Sequence, residues 1–551
     1  MMPEITSCNV IPTPSEIKSD DLNTGLHSND GSLSMQGAFT TIAAGDNNYV
    51  SPLMFGGIGN SPNTDNTKAV LAAVDAAVNL GLRLDLTGGP WRIIETIDLT
   101  NVKSIITDWT GRFLLDPSKF TCKHSAKYVI TFGNPDTAFS DSRSVSACVI
   151  GLFAVIADGR GVELNGVFIK GHLLTFDSIR ITNFNGSGLY AGAVWDSTVG
   201  SISVELCGNV ANYALSIAPF GDTSNCLHIG RIQCEQAYHK QIYLNVIRSE
   251  IHTVHAERMY ILTTDDGTTE LPSGLNYENS YFLLSNSAVY QCIIDATSSS
   301  DIGTVTEIPS VRLNLYASKI TAFSLVNCEV SSMYGNHSTV DNSVFYKYYN
   351  LAYPYKYTSC RFVSSSSDGL LTLGVGSVDN CEIDTFLPAY GTTSVLLMKS
   401  IINNNYNNTR TGVSGVLFDS CTFKKDVMQT GSTESNQPTK LRDCLVLGKL
   451  SGFYQQRLIV EGGYIQSVSL ASRAYVTLDG VKGGSFSYSG DKAFVSRNCR
   501  FNSVLAWAVP TFGNYPAGER TQLLGAISPG DCVEYINIQD NGAVFKPLLY
   551  V

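Results

Sequence analysis

A polar residue, a cysteine, any residue and an apolar residue recur in that order six times between residues 327 and 501. The copies are Asn327-Cys328-Glu329-Val330, Ser359-Cys360-Arg361-Phe362, Asn380-Cys381-Glu382-Ile383, Ser420-Cys421-Thr422-Phe423, Asp443-Cys444-Leu445-Val446 and Asn498-Cys499-Arg500-Phe501. Cysteine follows cysteine at intervals of 32, 21, 40, 23 and 55. The intervals of 21 and 23 each equal one unit and 40 is close to two, while the others require a loop insertion. A unit of roughly 20 residues marks a solenoid, in which each unit buries its apolar face against the next. With short strands, each unit is one coil stacked on its neighbour by parallel hydrogen bonding. The polar residue then takes the tight corner, the small cysteine stacks inside, and the apolar residue two positions on also points inward.

Composition agrees with many short strands. Only 15% of the 551 residues are charged, against ~25% in ordinary soluble domains. In place of charge come 48 Gly, 27 Tyr and 24 Phe, a β-rich, turn-rich profile that excludes coiled coils and helical solenoids. The net charge of −11 argues against a nucleic-acid partner, which needs a basic face. The longest uncharged apolar stretch, Val145 to Ala157, is 13 residues against the ~20 of a membrane span. No secretory signal opens the chain, so the 14 cysteines are expected as free buried thiols. They form no Cys-x-x-Cys pair, which speaks against a metal site. No cofactor is expected.

Four regions are expected. Residues 1–50 form a leader without periodicity, read as a docking peptide. Residues 51–120 start the coil, with a capping helix over 65–80. In that helix Val70, Ala73, Val74, Ala77 and Val78 make an apolar stripe behind the capping candidates Thr64 and Asp65, and Gly81 stops it. Residues 121–500 form the coils. Residues 501–551 lose the pattern and are expected as a β-rich cap, serving trimerisation or carbohydrate binding, over the otherwise unpaired solenoid end.

A second repeat carries charge. Ser201-Ile202-Ser203-Val204-Glu205, Arg231-Ile232-Gln233-Cys234-Glu235 and Thr253-Val254-His255-Ala256-Glu257 each end a strand-like segment on glutamate. The interval of 22 from Glu235 to Glu257 is one coil, and the interval of 30 from Glu205 to Glu235 is one coil plus a loop. Three carboxylates would then stack on one face, and like charges that close resist joint ionisation. Such a stack suits glycoside hydrolysis, which needs one protonated and one ionised carboxyl. Adjacent coils would set them ~5 Å apart, the retaining separation, and alternate coils ~9.6 Å apart, the inverting one. Asp177, Asp196 and Asp222 are reserve candidates. Tyr238, His239, His255 and Arg258, with Lys240 and His252 nearby, are the substrate-binding candidates. His252 and His255 are not expected to share a metal, because residues three apart on a strand face opposite sides. A glutamate at a strand end is also commonly a solvated rim residue, so the stack alone does not decide.

Residues Phe55 to Ile94 carry a resemblance. A Gly-rich segment, Phe55-Gly56-Gly57-Ile58-Gly59, leads to Asp65-Asn66-Thr67 opening the helix, then the strand Leu82 to Leu86, then Gly89-Pro90-Trp91-Arg92-Ile93. This resembles the start of the pectate-lyase-like right-handed parallel β-helix. Together with the coils, over roughly residues 55 to 500, it is similar to phage tailspikes and capsular polysaccharide depolymerases. The implied fold is all-β: a single-stranded right-handed parallel β-helix with a short N-terminal capping helix and a β-rich C-terminal cap. The implied protein is a homotrimeric receptor-binding spike on the phage tail, made in the host cytoplasm, that binds and cleaves a bacterial surface polysaccharide. The short leader suggests docking through another tail protein. A β-eliminating lyase, with His239, His255 or Tyr238 as base and Arg258 or Lys240 neutralising the substrate, and a non-catalytic glycan-binding adhesin are the alternatives.

Overall fold

The computed structural model describes residues 48–137, 146–260 and 278–295, and between 310 and 547 the strands with some of the turns joining them. The leader lies almost wholly outside the described residues. By its contacts the chain divides into two units, Met1–Leu275 with Thr297–Val305, and Asn276–Ala296 with Thr306–Val551. Both are built of short strands paired in parallel with strands one turn away in sequence, a right-handed parallel β-helix.

The first unit opens on the single α-helix among the described residues, α1 (Thr67–Leu80). Asp65 Oδ1 accepts hydrogen bonds from the Thr67 N–H at 2.9 Å and the Thr67 hydroxyl at 2.5 Å, which fixes the first turn. Thr64 makes no such bond to the helix; its Oγ1 lies 2.7 Å from the Ser61 hydroxyl. Val70, Ala73, Val74 and Ala77 are buried as the stripe requires, while Val78 is exposed because it sits at the stripe's edge. Gly81, at φ 64°, closes the helix in the left-handed region that glycine enters freely. Trp91 is fully buried, and its indole N–H donates to the Leu86 carbonyl at 2.6 Å.

The second unit explains the cysteine repeat. Ser343, Cys360, Cys381, Ser400, Cys421, Cys444, Gly463, Val481 and Cys499 occupy one column of consecutive turns. Before each of the first six, the chain turns through a left-handed residue: Asn342, Ser359, Asn380, Lys399, Ser420 and Asp443 have φ between 44° and 55°. The side chain that follows donates back to the carbonyl two residues earlier, as Cys381 does to Asp379 at 3.3 Å and Ser400 to Met398 at 2.8 Å. It also accepts a backbone N–H from the preceding turn: the Cys360 N–H reaches Cys381 Sγ at 3.2 Å, and the Cys381 N–H reaches Ser400 Oγ at 3.1 Å. Serine and cysteine are therefore interchangeable corner residues that satisfy buried backbone groups.

Two spacings are reassigned by this register. The gap before Cys499 is three turns with Gly463 and Val481 in the cysteine position, and needs no inserted loop. The gap after Cys328 joins two different corners, because Cys328 precedes the strand Glu329–Asn336, which pairs with Ser310–Tyr316. The cysteines of the described residues are unbridged. Strand Arg520–Leu523 still pairs in parallel with Val504–Ala506, and from it Glu534–Asn537 and Phe545–Pro547 follow in antiparallel pairing, which is the β-rich cap.

Candidate active site on the outer face of the first unit

One sheet of the first unit is laid down by Cys148–Ala157, Thr175–Thr182, Leu189–Glu205, Ser224–Tyr238 and Glu250–Tyr260. Its register pairs Thr182 with Glu205, Glu205 with Glu235, and Glu235 with Glu257. Val204, Cys234 and Ala256 are fully buried, so the glutamate after each points out of the coil. The next residue in each case, Leu206, Gln236 or Arg258, takes a left-handed φ of 52° to 55° and turns the chain away. The three carboxylates thus form one column along the sheet's outer edge. Both intervals between them are single turns, the longer one included.

A second outward column runs beside it: Arg180, Ser203, Gln233 and His255. It supplies the partners. Arg180 Nη2 donates to Glu205 Oε2 at 3.1 Å. The Gln233 amide donates to Glu235 Oε1. His255 Nε2 lies 3.9 Å from Glu257 Oε2, and Arg258 Nε 3.3 Å from Glu257 Oε1. One oxygen each of Glu235 and Glu257 and a ring nitrogen of His255 lie within 4.8 Å of one another. Cationic groups therefore flank the column, while Glu235 in the middle bonds a neutral amide. The thiols behind it are inert: burial pushes Cys207 up to about 12 and Cys234 well above the usual thiol range.

Sequence reasoning missed Arg180, Gln233 and Trp109. Trp109 lies in the turn between strands Ser104–Thr107 and Phe113–Leu115 and is 45% exposed. The Arg180 guanidinium carbon lies 5.2 Å from the centre of its ring, and that of Arg112 at 4.9 Å. An exposed indole therefore borders the end of the column where Glu205 sits. The signal for Arg180 and Gln233 was present: each stands two positions before a member of the glutamate column or its register partner, as His255 does.

Several candidates fall elsewhere. Thr198 to Glu205 is extended strand of ~23 Å, and Asp196, at a corner with φ 48°, lies beyond its far end. Asp222 precedes Ser224 at that same far edge, and its carboxylate accepts the Thr223 N–H at 2.7 Å. Asp177 accepts the Gly151 N–H at 2.9 Å, well back along the sheet. None of the three reaches the glutamates, because a strand-start residue and a strand-end residue of one coil stand at opposite edges. His239 is 6% exposed, not groove-lining; burial first, then Arg160 and Lys240, push it down to about 4, so it stays neutral. Tyr238 stands round the corner, its ring tilted 38° against that of Tyr260 with centroids 5.1 Å apart, and the Arg160 guanidinium 3.2 Å above it. Lys240 lies over Tyr213. Only His255 and Arg258 of the substrate-binding candidates touch the column.

The alternation argument against His252 with His255 also fails. The inward residues Ile251 and Val254 are three apart, as are Ile229 and Ile232. An extra residue bulges each strand at Asp177, Gly200, Gly230 and His252, where a Cβ on Gly230 would come within 2.5 Å of the Gly200 carbonyl oxygen. Both histidines therefore face outward, in different groups.

No family model matches the chain. Over 121 residues it is 30% identical to a capsule KN4-specific depolymerase of Klebsiella phage KN4-1; the match spans 21% of this chain and 14% of that protein. Among solved structures, PfbA, a surface adhesin of Streptococcus pneumoniae, is 10% identical with a TM-score of 0.28, over 91% of this chain and 98% of that one. The tailspike protein of E. coli bacteriophage HK620, in complex with a pentasaccharide, is 10% identical with a TM-score of 0.26, over 94% of each chain. The likeness to phage capsule depolymerases read from the sequence is thus met by a depolymerase relative over part of the chain.

Proposed function

We propose that this chain is a phage tailspike that binds a bacterial capsular or surface polysaccharide and cleaves it internally by glycoside hydrolysis. The observation that carries the reading is the register of Glu205, Glu235 and Glu257 on successive turns, with Arg180 and Arg258 holding the outer two. Adjacent turns place carboxylates ~5 Å apart, the separation of a retaining pair. Glu235 serves as the acid and gives its proton to the glycosidic oxygen. Glu205, held by Arg180, attacks the anomeric carbon, and the leaving sugar departs as an alcohol. Water, deprotonated by Glu235, then releases the glycosyl group from Glu205. Trp109 offers an apolar face on which a sugar ring stacks. The partial likeness to a capsule depolymerase supports the substrate class. The reading extends to a homotrimer on the virion tail, docked through residues 1–50 on another tail protein.

A second reading, β-elimination, draws on His255 and Arg258 beside Glu257. One experiment separates these readings. The protein is incubated with a panel of purified capsules, the KN4 type included, while reducing ends, ultraviolet absorbance and the anomer first released are followed. Hydrolysis with retention gives reducing ends without a chromophore, and Glu235→Gln abolishes them. A conjugated uronate absorbance establishes the lyase instead. Binding without any cleavage establishes an adhesin.

A further inference from the structure

At the opposite end of the same sheet from the glutamate column, the register faces His228 with Glu250 on the next turn, and His252 follows Glu250 on that strand. We infer that His228, Glu250 and His252 form a binding site for a divalent transition metal of the zinc class, joining two successive turns. This inference stands on its own residues and does not depend on the proposed hydrolysis.

The geometry is close to that of a ligand set. His228 Nδ1 lies 3.7 Å from Glu250 Oε2, and the two imidazole rings meet edge to face with centroids 5.0 Å apart. One donor atom from each of the three residues lies within 4.8 Å of the others. Zinc binds imidazole nitrogen and carboxylate oxygen at ~2.0–2.2 Å, which places tetrahedral ligand atoms ~3.4 Å apart. The His–Glu distance is already near that value. The side chains of His228 and Glu250 are 52% and 55% exposed, so small rotations close the remainder without disturbing the core.

The backbone fixes the arrangement. Ile229 and Ile251, buried directly beside His228 and Glu250, anchor both strands. Inward Ile251 leaves its two neighbours Glu250 and His252 on the outer face of one strand, two positions apart. Two imidazoles with one carboxylate select zinc, nickel or copper over magnesium or calcium, which prefer oxygen ligands, and leave coordination positions open to water or an exogenous group. The set is separate from the candidate active site: His228 stands seven positions before Glu235, ~23 Å along the strand. It is one of two such groups among the described residues, the other being Glu235, His255 and Glu257.

Titration calorimetry of the untagged full-length chain with zinc chloride tests the inference, with the visible spectrum of the cobalt-loaded protein as a second readout. One zinc per chain is expected, and His228→Ala, Glu250→Gln and His252→Ala should each weaken binding ~10-fold or more, as loss of a metal partner does. Glu235→Gln and Glu257→Gln should leave that event unchanged. Circular dichroism confirms that the variants fold, and Glu250→Gln, isosteric and exposed, remains informative if an alanine variant does not. Absence of zinc binding overturns the inference. So does binding that Glu257→Gln abolishes and His228→Ala does not, since the metal would then sit on the glutamate column.

Discussion

Replacing Ser400 by alanine is the sharpest test of the corner that builds the second unit. Ser400 is fully buried; its hydroxyl donates to the Met398 carbonyl at 2.8 Å and accepts the Cys381 N–H at 3.1 Å. The Met398 oxygen keeps a second donor, the Asn380 N–H at 3.0 Å, so it loses one bond of two. The Cys381 N–H loses this acceptor in the interior, where an unmet donor costs ~1–3 kcal/mol. The midpoint, ~2 kcal/mol, is the expected loss. Cysteine at the same position should cost under ~1 kcal/mol, because Cys381 already performs both tasks one turn earlier, accepting the Cys360 N–H at 3.2 Å and donating to Asp379 at 3.3 Å. Unfolding in guanidinium, followed by tryptophan and tyrosine fluorescence, reads the difference as a rate. If the corner is absent from the transition state, Ser400→Ala speeds unfolding up to ~30-fold and Ser400→Cys only a few-fold. An alanine variant as durable as the parent, or a cysteine variant worse than alanine, refutes the account of the repeat.

Three further outcomes are expected. Trp109→Ala should raise KM for polysaccharide ~10-fold with kcat little changed, from the loss of ~1–1.5 kcal/mol of stacking on an exposed ring, read by steady-state kinetics. Arg180→Gln removes the charge-assisted bond to Glu205 and should lower kcat/KM ~10- to 100-fold. Its thermal stability should stay within ~1 kcal/mol of the parent, since the Arg180 side chain is 41% exposed. His239 has a folded pKa of about 4, below the ordinary 6.5 of a free imidazole, so the unfolded chain takes up a proton that the folded one refuses. The lowered pKa takes nothing from stability above pH ~6.5, and stability falls as the pH drops from there towards 4, by up to ~3 kcal/mol. His239→Gln should flatten that part of the pH profile in unfolding experiments; an unchanged slope shows that other groups set it.

The sequence made the glutamate column legible because in a parallel coil one turn in sequence equals one step in space. A residue type recurring once per turn therefore lands beside itself, and Glu235 with Glu257 required no knowledge of packing. The same logic hid the serines. Ser343 and Ser400 perform the cysteines' corner task, but serine is common everywhere in this chain and its corner copies do not stand out. Asp196 and Asp222 were misplaced for a related reason: periodicity states which residues share a column, not at which edge of the sheet a column stands.

What the sequence alone determined is the class of fold, the capping helix between Asp65 and Gly81, and the identity of the stacked carboxylates. These follow from period, capping chemistry and turn-forming residues, all of which are local. Only the tertiary structure decided what meets across turns. It placed Arg180 on Glu205, Trp109 beside Arg180, Gln233 against Glu235, and His228 against Glu250. It also withdrew His239 from the surface. The physical reason is that a bulge of one residue or a corner of one left-handed φ reverses which face a side chain takes, and neither leaves a mark in composition or period.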